Sequence, residues 1–342
     1  MQNPVEKVVI FVMKDKYGRN IDYMRISVTD RCNLRCKYCM PDGITSIPME
    51  ELLTYEEILQ IVKAAAGLGI TKIKLTGGEP LVRKDVAALV RMLYTVPGVE
   101  EITMTTNGVL LMEHLDELID SGIRAINVSI DTLDEKKYEQ ITGKNELSNI
   151  LTAVRECIQR GIRIKINAVL LSETSEEELF RILQLAQNQN IDVRFIELMP
   201  IGEGKKMRGI SGKEFLLHIK EKYSSLQEDY RRHGNGPATY YRIPGFVGSV
   251  GFISAIHGKF CSTCNRLRLS STGQLKACLC YEGECNLKSI LRDSGWGAEQ
   301  QERRMKALQD EIAAAIMEKP SEHCFENPDH MTEYQKMVAI GG

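Results

Sequence analysis

Six cysteines in two groups carry the chemistry open to this sequence. Cys32, Cys36 and Cys39 fall within "TDRCNLRCKYCMPDG", a C-x3-C-x2-C run, and Cys261, Cys264 and Cys278 fall within "FCSTCNRLRLSSTGQLKACLC", a C-x2-C-x13-C run. Thiolates are soft ligands that suit zinc or iron–sulfur clusters, and a closed structural site of either kind usually takes four protein ligands. Three cysteines in a tight loop leave one position open, and an open position is how a metal site binds something else. At the first group the alternative is a zinc loop completed by a distant cysteine or histidine. At the second, spacing alone favours neither reading, because Cys280 or Cys285 could close a zinc ribbon. Of the ten cysteines, only Cys157 lies mid-chain. It sits in "AVRECIQRGI", and reads as a small buried residue of an amphipathic helix. In a reducing compartment the other spacings indicate ligation or redox chemistry more than crosslinks.

The elements that must position these thiols follow a rhythm. Six β-rich runs, "MRISVTD" (24–30), "KIKLTGG" (72–78), "EITMTTNG" (101–108), "AINVSID" (125–131), "RIKINAVL" (163–170) and "DVRFIELMP" (192–200), alternate with five helical patterns. Thr54 with Glu57, and Ser175 with Glu178, have the spacing of capping boxes. In "TYEEILQIVKAAAGLG" the residues Ile58, Leu59, Val62 and Ala66 make one apolar face. Strict alternation implies parallel strands joined by right-handed crossovers, in an open doubly wound sheet or a barrel. Polar or glycine-rich residues end nearly every run ("TDRC", "TGGEP", "TTNG", "SID", "ELMP"), which is where a barrel gathers its chemistry at one mouth. The expected fold is therefore α/β, a partial (β/α)6 TIM-type barrel over residues 1–202. After about residue 202 the rhythm breaks, and 203–342 reads as an α+β covering region with a helix near 212–223, short strands and a charged helix around 298–318.

Bulk properties exclude several classes of partner. With 44 basic against 46 acidic residues and a formal charge of -2, nothing draws the chain to nucleic acid or to a membrane surface. The early apolar run "VVIFVM" is too short for a signal-peptide core or a membrane span, so a cytoplasmic protein is expected.

The first cysteine run, with an aromatic residue before its last cysteine and "TGGEP" and "NVSID" following in order, resembles the radical S-adenosylmethionine (radical SAM) superfamily. The resemblance implies a [4Fe–4S] cluster whose unligated iron holds SAM, and cleavage of SAM to methionine and a 5'-deoxyadenosyl radical. From "MRISVTDRCNLRCKYCMP" through "RFIELMPIG" and "FCSTCNRLRLS" to the terminal "IGG", the whole chain is similar to the GTP 3',8-cyclase family, which opens molybdenum-cofactor biosynthesis. That family implies a second [4Fe–4S] cluster on Cys261, Cys264 and Cys278, with its open iron toward the guanine of GTP. It implies abstraction of the C3' hydrogen, attack on C8, and the product 3',8-cyclo-7,8-dihydro-GTP, the work of a carbon–carbon bond-forming lyase.

The family's SAM positions match Tyr38, Gly78, Ser129 and Met199. Gly78, lacking a β-carbon, would let backbone approach the methionine moiety; Ser129 also reads as a polar strand residue and Met199 as core packing. Its GTP positions match Arg25, Lys74, Thr105, Lys165, Arg266, Leu267 and Arg268. Arg266 and Arg268 stand two apart in a predicted strand, so both guanidinium groups face one way and can grip a triphosphate. Arg25, Lys74 and Lys165 are charges inside β-rich runs, which need an anion if they point inward; the alternate, solvated face is the other reading. Glu79 and Asn107 stay unassigned at the mouth. His323, Cys324 and His330 are read as surface residues. The terminal Gly341 and Gly342 enter the active-site cavity if the resemblance holds. Implied partners are GTP, a reducing protein such as flavodoxin or ferredoxin, and a downstream cyclic pyranopterin monophosphate synthase, with a homodimer left open. The rivals are a radical SAM peptide-modifying enzyme with an auxiliary cluster, and a zinc-binding scaffold without activity.

Overall fold

The computed structural model describes residues 12–43, 47–283, 285–295 and 300–340. Six parallel strands form its wall: β1 (Tyr23–Ser27), β2 (Lys72–Thr76), β3 (Glu101–Thr106), β4 (Ala125–Ser129), β5 (Arg163–Leu170) and β6 (Ile191–Glu197). Each pairs in parallel with the next in sequence, as the alternating pattern predicts. The crossover after β4 carries two helices, Glu135–Thr142 and Leu147–Gln159, and Cys157 is buried in the second. Both predicted capping boxes form, at Thr54 with Glu57 and at Ser175 with Glu178.

The covering region continues this sheet. Its strands are β7 (Gln227–Asp229), β8 (Thr239–Arg242), β9 (Ser249–Ile253), β10 (Arg266–Leu269), β11 (Gln274–Lys276) and β12 (Cys285–Asn286). The order is β12-β11-β10-β1-β2-β3-β4-β5-β6-β9-β8-β7. β10 adds in parallel to β1 and β9 in parallel to β6, so both edges of the six-stranded wall are extended from the same later segment. A linear order leaves the barrel partial, and the short outermost strands offer little edge for foreign pairing.

One apolar core lies between sheet and helices. The helix Tyr55–Gly67 buries Ile58, Ile61, Val62, Ala64, Ala65 and Ala66, a wider arc than its expected stripe. The reason is the helix Gln301–Glu318, which packs on its other side. Each isoleucine so enclosed contributes about 1.5–3 kcal/mol.

Candidate active site

Cys32, Cys36 and Cys39 leave β1 on a loop that crosses the C-terminal ends of the strands. They line a cavity of about 250 Å³ together with Gly78, Glu79, Ser129, Asp131 and Met199. The loop is docked by backbone: the Gly78 amide donates to Thr29 O at 2.7 Å and the Glu79 amide to Arg31 O at 2.8 Å. A β-carbon on Gly78 would lie 2.4 Å from Arg31 O and 2.7 Å from Asp30 O. Close approach does require glycine here, and the chain that approaches is the cysteine loop itself.

Burial raises all three thiols, Cys36 well above its usual range and Cys39 to about 12, and each of these two also feels its neighbours' charge. Three crowded thiols of this kind ionise when a metal supplies positive charge. The donor set therefore fits a cluster. Among the described residues no three His, Cys, Asp or Glu side chains converge on a point that one metal ion would fill. Tyr38 is fixed by donating from its hydroxyl to Asp131 Oδ2 at 2.7 Å.

Glu79, left unassigned by sequence reasoning, is the most enclosed acid of this mouth, 1% exposed. It accepts from the Asn107 amide (2.6 Å), Thr106 Oγ1 (2.7 Å) and the Leu81 amide (3.0 Å). Burial nevertheless outweighs these donors and raises its carboxyl from 4.5 to about 7. A carboxyl whose folded pKa is raised favours the folded state at low pH and loses that contribution as pH climbs through the folded value. Relative to Glu79→Gln, the wild-type apoprotein should lose on the order of 3 kcal/mol of unfolding free energy between pH 4.5 and about pH 8. Denaturant titrations at the two ends of that range measure it, and parallel pH profiles for the two proteins would refute it.

Below the mouth a row of cations crosses the strands in register. Arg25 on β1 pairs with Arg268 on β10 at one side and with Lys74 on β2 at the other. Side chains on adjacent strands at one register point the same way, about 5 Å apart. Burial lowers the guanidinium of Arg25 to about 10 and that of Arg268 well below its usual range, and each is depressed further by its cationic neighbours. Lys74 is lowered likewise by burial, then by Arg194, Arg25 and Lys165. Arg194, on β6, was missed although it carries the signal that marked Lys74: a charge inside a β-rich run. It donates to Asn167 Oδ1 at 2.5 Å. Thr105 lies opposite Asn127, whose amide donates to its hydroxyl at 3.2 Å, and Asn127 lies opposite Lys165. Lys165 is ion-paired to Asp192 at 3.0 Å. Leu267, fully buried, faces the core between Arg266 and Arg268.

The second thiol group stands at the start of β10. Burial raises Cys264, but Arg266 and Lys319 outweigh it and bring the thiol down to about 6. Arg266 Nη2 lies 3.9 Å from its sulfur. Cys261 accepts from the His323 amide at 3.4 Å, and its carbonyl accepts from Arg19 at 2.8 Å. The proposed fourth zinc ligands are engaged elsewhere: Cys280 Sγ is 3.0 Å from Cys324 Sγ, and Cys285 bonds Glu311.

The tail corrects one expectation. His323 is buried and stacked on Phe325 at 4.4 Å, and Cys324 meets Cys280, so of the three residues read as surface only His330 is exposed. Ile201, Leu279, Cys280, Phe325 and Ile340 form a small second core beneath this segment. Lys276 and Glu333 are ion-paired within it. Further on, Met337 and Val338 line the first cavity, with the Val338 amide donating to Cys39. The tail thus runs from one thiol group to the other. Gly341 and Gly342 lie outside the described residues.

Comparison with known proteins agrees with this geometry. The Radical SAM superfamily profile matches residues 26–186 and that of Molybdenum Cofactor Synthesis C matches residues 191–325. The crystal structure of Streptococcus suis SuiB bound to S-adenosylmethionine shares the fold, with a TM-score of 0.57 at 12% identity over 95% of this chain and 79% of that one. A GTP 3',8-cyclase of Clostridium perfringens (strain SM101 / Type A) is 42% identical over 96% of this chain and 100% of its own length. One of Alkaliphilus oremlandii (strain OhILAs) is 41% identical over the same shares. With that identity over nearly the full length, and with three thiols at each end of a cation-lined barrel, the chain belongs to the GTP 3',8-cyclase family of radical SAM enzymes.

Proposed function

We propose that this chain is a radical SAM GTP 3',8-cyclase that converts GTP to 3',8-cyclo-7,8-dihydro-GTP, the first step of molybdenum-cofactor biosynthesis. The observation that carries the reading is the cation row. Arg25 lines the first thiol cavity, Arg268 lies in the field of Cys264 and Cys278, and Lys74 continues the row. A polyanion belongs between the two thiol groups. When bound, SAM and the first [4Fe–4S] cluster supply the radical that takes the C3' hydrogen. The chain's own work is to bind, orient and exclude water.

Cys32, Cys36 and Cys39 would hold the first cluster, with Tyr38, Gly78, Ser129 and Met199 around SAM. Cys261, Cys264 and Cys278 would hold a second [4Fe–4S] cluster facing the guanine. Arg25, Lys74, Thr105, Lys165, Arg266 and Arg268 would contact GTP, joined by Arg194, while Leu267, expected to touch GTP, would instead hold the strand between the two arginines from its core side. Residues 1–202 would form the radical SAM partial barrel, 203–342 would carry the second cluster and further substrate contacts, and Gly341 and Gly342 would reach into the active-site cavity. A flavodoxin or ferredoxin would deliver the electron, a cyclic pyranopterin monophosphate synthase would take the product, and the enzyme would work in the cytoplasm, where a homodimer is compatible with every role above.

Anaerobic reconstitution with iron and sulfide, then SAM, reductant and GTP, tests the activity: GTP-dependent deoxyadenosine and a cyclised product are expected, and their absence refutes it. The ligand assignment has its own test. Cys278→Ser should fall from about eight irons to about four, whereas Cys280→Ser keeps about eight. Iron loss in the Cys280 variant would reassign the third ligand.

A further inference from the structure

Lys165 is held by a segment that the family resemblance does not assign. Residues 230–238, "YRRHGNGPA", join β7 to β8 and pass across the N-terminal ends of β5 and β6. His233 anchors the crossing. Its ring stacks on Tyr240 at 4.0 Å and 13°. Nδ1 lies 3.2 Å from both carboxylate oxygens of Asp192. Nε2 lies 3.1 Å from Asp229 Oδ2, close enough for an ion pair though off the hydrogen-bond line. Asn235 donates to Glu101 at 2.5 Å and fixes the far side of the turn.

The same residues hold the lysine. Lys165 Nζ donates to the His233 carbonyl and to Tyr240 OH at 3.1 Å, and pairs with Asp192 at 3.0 Å. His233 and Lys165 therefore share one carboxylate. Between the anchors the chain is stripped of side chains where it meets cations. A β-carbon on Gly234, which sits at φ +132°, would be 3.5 Å from Lys165 Nζ, and one on Gly236 would be 3.7 Å from Arg194 Nη1. Both glycines line a cavity of about 510 Å³ that also reaches Cys264 and Arg266. A larger side chain at either position would stand between that cavity and a buried cation.

We infer that residues 233–236 are a further part of the substrate site, specific for the phosphate chain of a nucleoside triphosphate. His233 is a positioning residue: by engaging Asp192 it leaves Lys165 aimed at the glycine gap, where a phosphate oxygen replaces the His233 carbonyl as its partner. A phosphate oxygen carries a full negative charge where the carbonyl carries only a partial one, so the exchange favours the bound nucleotide. This assignment rests on GTP being the substrate.

The test uses the holoenzyme carrying both clusters. In His233→Ala the KM for GTP should rise about tenfold with kcat within about twofold, while His233→Asn, which keeps a donor toward Asp192, recovers most of the loss. Equilibrium dialysis should show weaker binding of GTP and unchanged binding of GMP, since only the longer chain reaches Lys165. Gly236→Val leaves every His233 contact in place and covers Arg194; it should weaken GTP in the same way at unchanged iron content, which keeps the question open to test if the histidine variant fails to fold. An unmoved KM in a wild-type-active background, or equal loss of GTP and GMP, overturns the inference alone. Wild-type protein that makes no product from GTP overturns the activity and this inference with it.

Discussion

Gly78→Ala is expected to strip the first cluster and silence the protein: deoxyadenosine formation falls below detection, and reconstituted iron drops from about eight to about four. The added methyl would sit 2.4 Å from Arg31 O and 2.7 Å from Arg31 C and Asp30 O. All three are backbone atoms, so no rotamer change relieves the clash. Overpacking ordinarily costs about 1–3 kcal/mol when side chains can yield. Here the yielding element is the chain one residue ahead of Cys32, tied to the β2 end by the Gly78 and Glu79 amides. The three nearest atoms all belong to the cysteine loop and none to the helix Tyr55–Gly67, so the loop is the element expected to move while the fold survives. Iron assays and far-UV circular dichroism separate the outcomes. A variant that keeps about eight irons and cleaves SAM would show that the loop tolerates the shift.

The sequence was most informative where a local rule has a local cause. Strand ends, capping boxes and thiol spacings each depend on a few neighbouring residues, and the six-stranded wall with its polar mouth follows from them. Charges inside β-rich runs marked Arg25, Lys74 and Lys165, and Arg194 carried the same mark unread. What stayed hidden depends on distant chain. No periodicity announces that β10 joins β1, or β9 joins β6, since each short strand looks alike whichever edge it meets. The true neighbour of Gly78 was hidden because a glycine reports only that something comes close. Spacing left open whether Cys280 is a ligand, and nothing in it announced the contact with Cys324, 44 residues away. His323 looked exposed because the tail is polar, yet it is buried by a fold-back onto Cys261.

Lys74→Met should make the protein more stable and a worse enzyme, and the pairing of those two effects is the signature of a site built for a polyanion. Lys74 is half-buried, flanked in register by Arg25 and Thr103. Burial first, then Arg194, Arg25 and Lys165, lowers its ammonium well below the usual 10.5, against a smaller opposing effect of Glu101. A lysine whose folded pKa is lowered costs the folded state stability at every pH where it is charged, fully so below the folded value. Methionine has nearly the same length and no charge, and replacing poorly compensated buried ions by apolar groups typically gains about 1–4 kcal/mol, here a rise of a few degrees in Tm. GTP binding loses one charge-assisted contact, worth about 1.5–3 kcal/mol, so the KM for GTP should rise about 10–100-fold. An anion also favours the protonated lysine, so wild-type GTP affinity should fall more steeply with rising pH than that of the variant. Thermal unfolding with and without GTP reads both effects together: the variant starts higher and gains less from the nucleotide. A lower Tm with an unchanged KM would mean that Lys74 serves the wall and not the substrate.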